Sequence, residues 1–155
     1  MGMPLLIALL TAGGILLVFW AVDRKDLGKA AAGMIGLIFL HSLFFFFYPT
    51  YFPRPALPSD VFPIFGSLYR LLVFFDTPRN CFPSLHAAES LFATFVFWRI
   101  RPRYGLPSFV LTLLIIVSAL TLKQHYFLDM VGGTFTAVVF YLYVFHARGS
   151  RCKSY

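Results

Sequence analysis

Charge is what this chain has least of. Only 12% of its 155 residues are Asp, Glu, Lys or Arg, 6 acidic against 13 basic, while 59% are hydrophobic and 19% aromatic. A water-soluble globule needs far more polar surface than that to cover itself, so the composition excludes one and indicates a membrane protein. Cysteine is scarce too. Cys81 and Cys152 fall at opposite ends of the last three apolar runs and are expected to face opposite sides of the membrane, which excludes a disulfide between them. No basic residue precedes the first apolar run, and the first charges, Asp23, Arg24, Lys25 and Asp26, come after it. A cleaved signal peptide is therefore not expected, and a first span with its N-terminus outside is. With no internal repeat and no low-complexity linker, residues 1–155 are read as a single integral membrane domain.

The net charge of +7 would suggest nucleic acid in a soluble protein. Here the basic residues sit in separate short loops with no exposed aromatic stripe between them, so no nucleic-acid partner is expected.

What the chain does have is length in its apolar runs. Uncharged stretches at 3–22, 30–48, 106–122 and 130–147 each approach the roughly 20 residues that cross about 30 Å of hydrocarbon. A fifth stretch, 85–98, is shorter and carries Glu89, but its tight connection to its neighbours makes it a spanning helix as well. The expected fold class is all-α: a polytopic membrane helix bundle of about five transmembrane helices. Residues 23–29 read as the turn between the first two. Ala30, Ala31, Ala32, Gly33 and Gly36 give the second helix a small-residue face for close packing in lipid. His41 reads as a histidine hydrogen-bonded between helices. Prolines 49, 53, 55 and 58 exclude a helix over 49–58, and 61–75 is apolar but too short to span, which predicts a re-entrant or interfacial helix.

Loop charges set an orientation. Arg24, Lys25 and Lys29, then Arg99, Arg101 and Arg103, then Arg148, Arg151 and Lys153 all fall on one side, which the positive-inside rule makes cytoplasmic, the C-terminus with it. Arg54, Arg70, Arg79 and Lys123 fall on the other side with His86, His125 and Asp129. Any chemistry is therefore expected to face away from the cytoplasm.

That chemistry starts from residues 80–90, where polar groups open an otherwise apolar segment. Pro83 suits a first helical turn, and amides from Ser84 onwards would point outward and favour an anion, with the Ser84 hydroxyl adding a hydrogen bond. Arg54, Arg79 and Lys123 supply positive charge from three loops, as phosphoryl transfer requires. His125 and Asp129 are four apart, which on a helix puts both on one face; the carboxylate would fix the ring's tautomer and leave its other nitrogen as base or nucleophile. Two histidines allow one to attack phosphorus and the other to protonate the leaving oxygen. Metal binding is the competing use of the same residues, but zinc-spaced thiolates and a third well-placed carboxylate are lacking and the surplus cations oppose it. A serine nucleophile at Ser84 lacks the Gly-x-Ser-x-Gly elbow. Glu89, one helical turn after His86, either orients that ring or bonds a neighbouring helix.

These residues resemble a known family. Pro83-Ser84-Leu85-His86 and, after a helical hairpin, Lys123-Gln124-His125-Tyr126-Phe127-Leu128-Asp129 are similar to the type 2 phosphatidic acid phosphatase (PAP2) superfamily. The nearest likeness is to the branch with this second motif that includes inositol phosphorylceramide synthases. Arg54-Pro55 resembles the end of that family's first motif, and Ser118, His125 and Asp129 stand at the spacing of the third. Two positions depart from the pattern: Phe47 stands where the first motif has its lysine, and Ala119 where the third has its arginine. Lys123, Arg79 or Arg70 would have to replace those cations, Lys123 first because it adjoins His125. The family usually has six spans, and this chain is read as lacking the first.

The resemblance implies that His125 is the nucleophile, forming a phosphohistidine, with Asp129 orienting it and His86 as the acid. Arg54, Ser84 and the start of the third span would hold the phosphoryl oxygens, and no metal or organic cofactor is implied. The implied substrate is a membrane phospholipid phosphate or a polyprenyl phosphate or diphosphate, hydrolysed by a lipid phosphatase. A head-group phosphotransferase and a non-catalytic lipid-binding homologue are the alternatives.

Overall fold

The computed structural model describes residues 24–51, 53, 70 and 79–146. The expected first span at 3–22, the short element at 61–75 apart from Arg70, and Arg54 lie outside the described residues. Four helices make up the rest: α1 (Arg24–Phe47), α2 (Leu85–Ile100), α3 (Pro102–Thr121) and α4 (Phe127–Phe145). The protein is an all-helical membrane bundle.

Three of these helices are long and apolar enough to cross a bilayer: Asp26–Phe47 within α1, all of α3 and all of α4. α2 has 16 residues, about 24 Å at about 1.5 Å per residue, and falls short of the roughly 30 Å of hydrocarbon. Counting it as a fifth full span does not follow from its length. Its place in the bundle explains why a shorter helix suffices, because it is the central element, in contact with α1, α3 and α4. Leu91, Phe92, Val96 and Ala88 of α2 meet Ala30, Met34 and Leu37 of α1 and Ala137 and Phe145 of α4 in the main buried cluster. On the outside, Ile35, Phe39, Leu106, Leu114, Phe135 and Leu142 are exposed, an apolar surface suited to lipid.

The expected turn at 23–29 is instead helical from Arg24 onward. Leu27 packs on the core a turn before Ala30, and Asp26 in the first turn suits the positive end of the helix dipole. α1 then approaches its neighbours through small residues, with Gly33 against Phe92 and Val144 and Gly36 against Phe140; a side chain at either position would hold the helices apart. Ala32, expected on the same face, is exposed. His41 is fully buried, hydrogen-bonds the Leu37 carbonyl through Nδ1 at 2.9 Å and reaches Thr136 Oγ1 of α4 at 3.4 Å.

α2 and α3 form a tight hairpin through Arg101 alone, with Pro102 opening α3 where a missing amide costs nothing. A polar seam joins them: Thr94 Oγ1 lies 2.9 Å from both Ser108 Oγ and Thr112 Oγ1, and Thr112 donates to the Ser90 carbonyl at 3.0 Å. Arg99, stacked over Phe145 at 5.1 Å, and Arg101 and Arg103 lie at the end of α2 opposite His86. The basic loop and the histidines therefore occupy opposite ends of the bundle.

Candidate active site

The C-terminal ends of α1 and α3 and the N-terminal ends of α2 and α4 gather at one end of the bundle, and each supplies part of the site. After α3 the chain turns through Lys123, whose φ of 51° lies in the left-handed region, with the Lys123 and Gln124 amides bonded to the Leu120 and Ala119 carbonyls. This places His125 just before α4, ahead of the N-cap Tyr126. His125 and Asp129 therefore do not share a helical face as their spacing suggests, since only Asp129 is helical. They meet because Asp129, three residues after the cap, folds back to accept the Tyr126 amide at 2.8 Å in the manner of a capping box.

That carboxylate stands 3.5 Å from Nδ1 of His125. The shorter contact of Nδ1 is with the Cys81 carbonyl, at 2.9 Å. A carbonyl can only accept, so Nδ1 carries a hydrogen, and in the neutral ring Nε2 is the nitrogen with the lone pair. His125 and Asp129 are both buried, which holds the ring in a single orientation.

At the start of α2, Pro83 precedes the helix instead of opening it. Ser84 is the N-cap, its hydroxyl accepting the Ala87 amide at 3.4 Å. The amides expected to point outward are partly committed: Ser84 donates to the Asp129 carbonyl at 2.9 Å and Ala88 to the Ser84 carbonyl at 3.1 Å. The Ser84–Asp129 bond ties the mouth of α2 to the first turn of α4. It is possible because Gly133 faces the Ser84 carbonyl so closely that a Cβ there would collide with it. His86, exposed one residue into α2, consequently stands edge to face with His125, ring centroids 5.7 Å apart and planes at 68°.

His86, His125, Asp129 and Ser84 are thus brought together. Arg79, bridged to Tyr51, and Lys123, in the turn before His125, are exposed and make no ion pair with a described residue; Arg54 lies outside the described residues. Ala119, at the position of the absent arginine, is buried against Ala87 and Met130, so packing occupies that place. Phe47 ends α1 and is exposed. Among the described residues Glu89 takes neither expected role, for its buried Oε1 finds no hydrogen-bond partner there. Among the described residues no three His, Cys, Asp or Glu side chains converge as a metal ion would need.

Sequence reasoning missed three participants. The Cys81 carbonyl acts through a main-chain oxygen, and the Thr50 hydroxyl accepts the main-chain amides of Cys81 and Phe82, contacts that side-chain patterns do not register. Gly132-Gly133, one turn after Asp129, was a visible signal of close helix approach.

Comparison with known proteins agrees with this geometry. The family model of the PAP2 superfamily matches residues 5–143, nearly the whole chain, whereas no curated protein and no solved structure matches. A motif pair assembled at one end of a helical membrane bundle, together with a family match of that extent, establishes that the chain belongs to the PAP2 superfamily.

Proposed function

We propose that the protein is a membrane lipid phosphatase that hydrolyses a lipid phosphate or diphosphate through a phosphohistidine at His125. The observation that carries this reading is the pairing of the two rings, with His125 Nδ1–H bound to the Cys81 carbonyl and His86 at its edge. Nε2 of His125 attacks phosphorus. The bond from phosphorus to the leaving oxygen breaks, and that oxygen takes its proton from His86. Neutral His86 then removes a proton from water, the water oxygen attacks phosphorus and the N–P bond breaks, returning His125 and releasing phosphate. Asp129 offsets the positive charge the ring gains, and Arg79, Lys123 and Arg54 hold phosphoryl oxygens; Ser84, expected among them, is fully buried as the cap of α2 and supports the site from behind.

The substrate class follows from the setting: a site at the end of a lipid-embedded bundle suits phosphatidate, phosphatidylglycerol phosphate or a polyprenyl diphosphate. With the basic loop of Arg99, Arg101 and Arg103 at the opposite end, the positive-inside rule supports a site on the extracytoplasmic side. The test is phosphate release in detergent from a panel of these lipids, with and without chelator. Release by the wild type and none by His125→Ala is the expected result; equal release by the mutant would sink the mechanism. Transfer of labelled phosphoryl head group to an added lipid alcohol, with no free phosphate, would replace hydrolysis by the transferase chemistry of the inositol phosphorylceramide synthase branch.

A further inference from the structure

We propose that Thr50 is a positioning residue for His125, acting through the peptide between Cys81 and Phe82; the inference rests on the reading of His125 as the nucleophile. Residues 79–82 belong to no helix, and Asn80 adopts a φ of 61°, a conformation asparagine tolerates better than most residues. A segment of this kind does not fix its own carbonyls. Three of its four amides end on one residue instead: Asn80 donates to the Thr50 carbonyl at 2.7 Å, and Cys81 and Phe82 both donate to Thr50 Oγ1, at 2.8 and 2.9 Å.

The second of those hydroxyl contacts determines where the Cys81 carbonyl points. The Cys81 carbonyl and the Phe82 amide belong to the same planar trans peptide, so they project in opposite directions. Holding Phe82 N–H on Thr50 Oγ1 aims Cys81 C=O away from Thr50 and onto His125 Nδ1, 2.9 Å distant. The linkage runs from the Thr50 hydroxyl through one rigid peptide to the imidazole. Without the hydroxyl, two amides lose their acceptor and the peptide is free to rotate. Nδ1 then loses the carbonyl that keeps its hydrogen there, and Nε2 is no longer held as the lone-pair nitrogen.

The experiment compares wild type, Thr50→Val, which keeps the shape but removes the acceptor, and Thr50→Ser, which restores it; Thr50→Ala replaces the valine variant if that one does not fold. Each is assayed in detergent for kcat and KM with the best lipid phosphate, for thermal stability, and by nitrogen-15 NMR of histidine-labelled protein, the His125 signals being assigned with His125→Asn. The expected result is a kcat lowered about tenfold to a hundredfold in Thr50→Val, the scale of a misplaced catalytic group, with KM nearly unchanged. The His125 Nδ1–H signature is lost in the same variant, and both return in Thr50→Ser. Wild-type kcat and an unaltered His125 spectrum in Thr50→Val would overturn the proposal, as would a serine variant as impaired as the valine one. If the wild type releases no phosphate from any lipid, the phosphatase reading fails by itself and the NMR comparison decides the tether.

Discussion

Nδ1 of His125 hydrogen-bonds the carbonyl of Cys81 at 2.9 Å, whereas the Asp129 carboxylate, separated from it by three residues of chain, stands at 3.5 Å. The tautomer therefore does not depend on the carboxylate. In a serine-protease triad, replacing the aspartate by asparagine costs about 10⁴ in kcat because the histidine takes the wrong tautomer. Here Asp129→Asn retains an oxygen for the Tyr126 amide and leaves the Cys81 contact intact. Its kcat is expected to fall only about tenfold to a hundredfold, from lost charge compensation alone. Steady-state kinetics beside His125→Ala checks this, and an equal loss in the two variants would contradict it.

The neighbouring glycines of α4 should respond differently to a methyl group. At Gly133 the new Cβ meets the Ser84 carbonyl, main chain that has no room to yield, whereas at Gly132 it meets the Phe82 ring at 2.9 Å, which can swing outward. Gly133→Ala is expected to cost about 1–3 kcal/mol by overpacking and to separate His86 from His125, lowering both thermal stability and turnover. Gly132→Ala should be milder in both. Thermal unfolding of the two variants in detergent, read beside phosphate release, distinguishes them.

Lys123 couples a charge to a strained backbone. Its φ of 51° suits glycine, so Lys123→Gly should leave stability unchanged or raise it by up to about 1 kcal/mol. The same change removes an ammonium carried two residues before His125. If that group holds phosphate, KM should rise by about tenfold or more, since a charge-assisted hydrogen bond contributes about 1.5–3 kcal/mol. Higher stability with unchanged KM would remove Lys123 from the site.

The Thr94 seam is structural. Thr94→Val keeps the volume and removes the hydroxyl that meets Ser108 and Thr112. A loss of about 0.6–2 kcal/mol is expected, the range for interhelical hydrogen bonds in membranes, with kcat and KM retained. Chemical denaturation in mixed micelles measures it, and loss of activity without loss of stability would give the seam another role.

How much of this was legible in the sequence depended on range. The helices at α1, α3 and α4 follow from apolar runs, and the facing ends of α2 and α4 from the motif residues Pro83 to His86 and His125 to Asp129. Local details were harder. The four-residue spacing of His125 and Asp129 suggested one helical face, yet a capping geometry brings them together; Pro83 reads as a first-turn residue, yet Ser84 caps. The turn at 23–29 was inferred from its charges, but Leu27 and Ala30 needed burial and carried the helix through it. Thr50 and Cys81 left no trace, because their bond spans 31 residues and pairs a lone loop hydroxyl with main-chain amides that every non-proline residue possesses. The fate of the absent arginine was equally hidden, as only the packed contact of Ala119 with Ala87 and Met130 reveals what fills its place.

The central claim is that His125 carries the phosphoryl group. Rapid acid-free quenching of the purified protein with radiolabelled lipid phosphate, followed by peptide mapping, tests it most directly. The account predicts an acid-labile, base-stable label on His125 that forms in the wild type, forms and decays more slowly in His86→Ala, where both proton transfers are lost, and is absent from His125→Ala. Phosphate release at the wild-type rate with no label on His125, or with label on another residue, would contradict it.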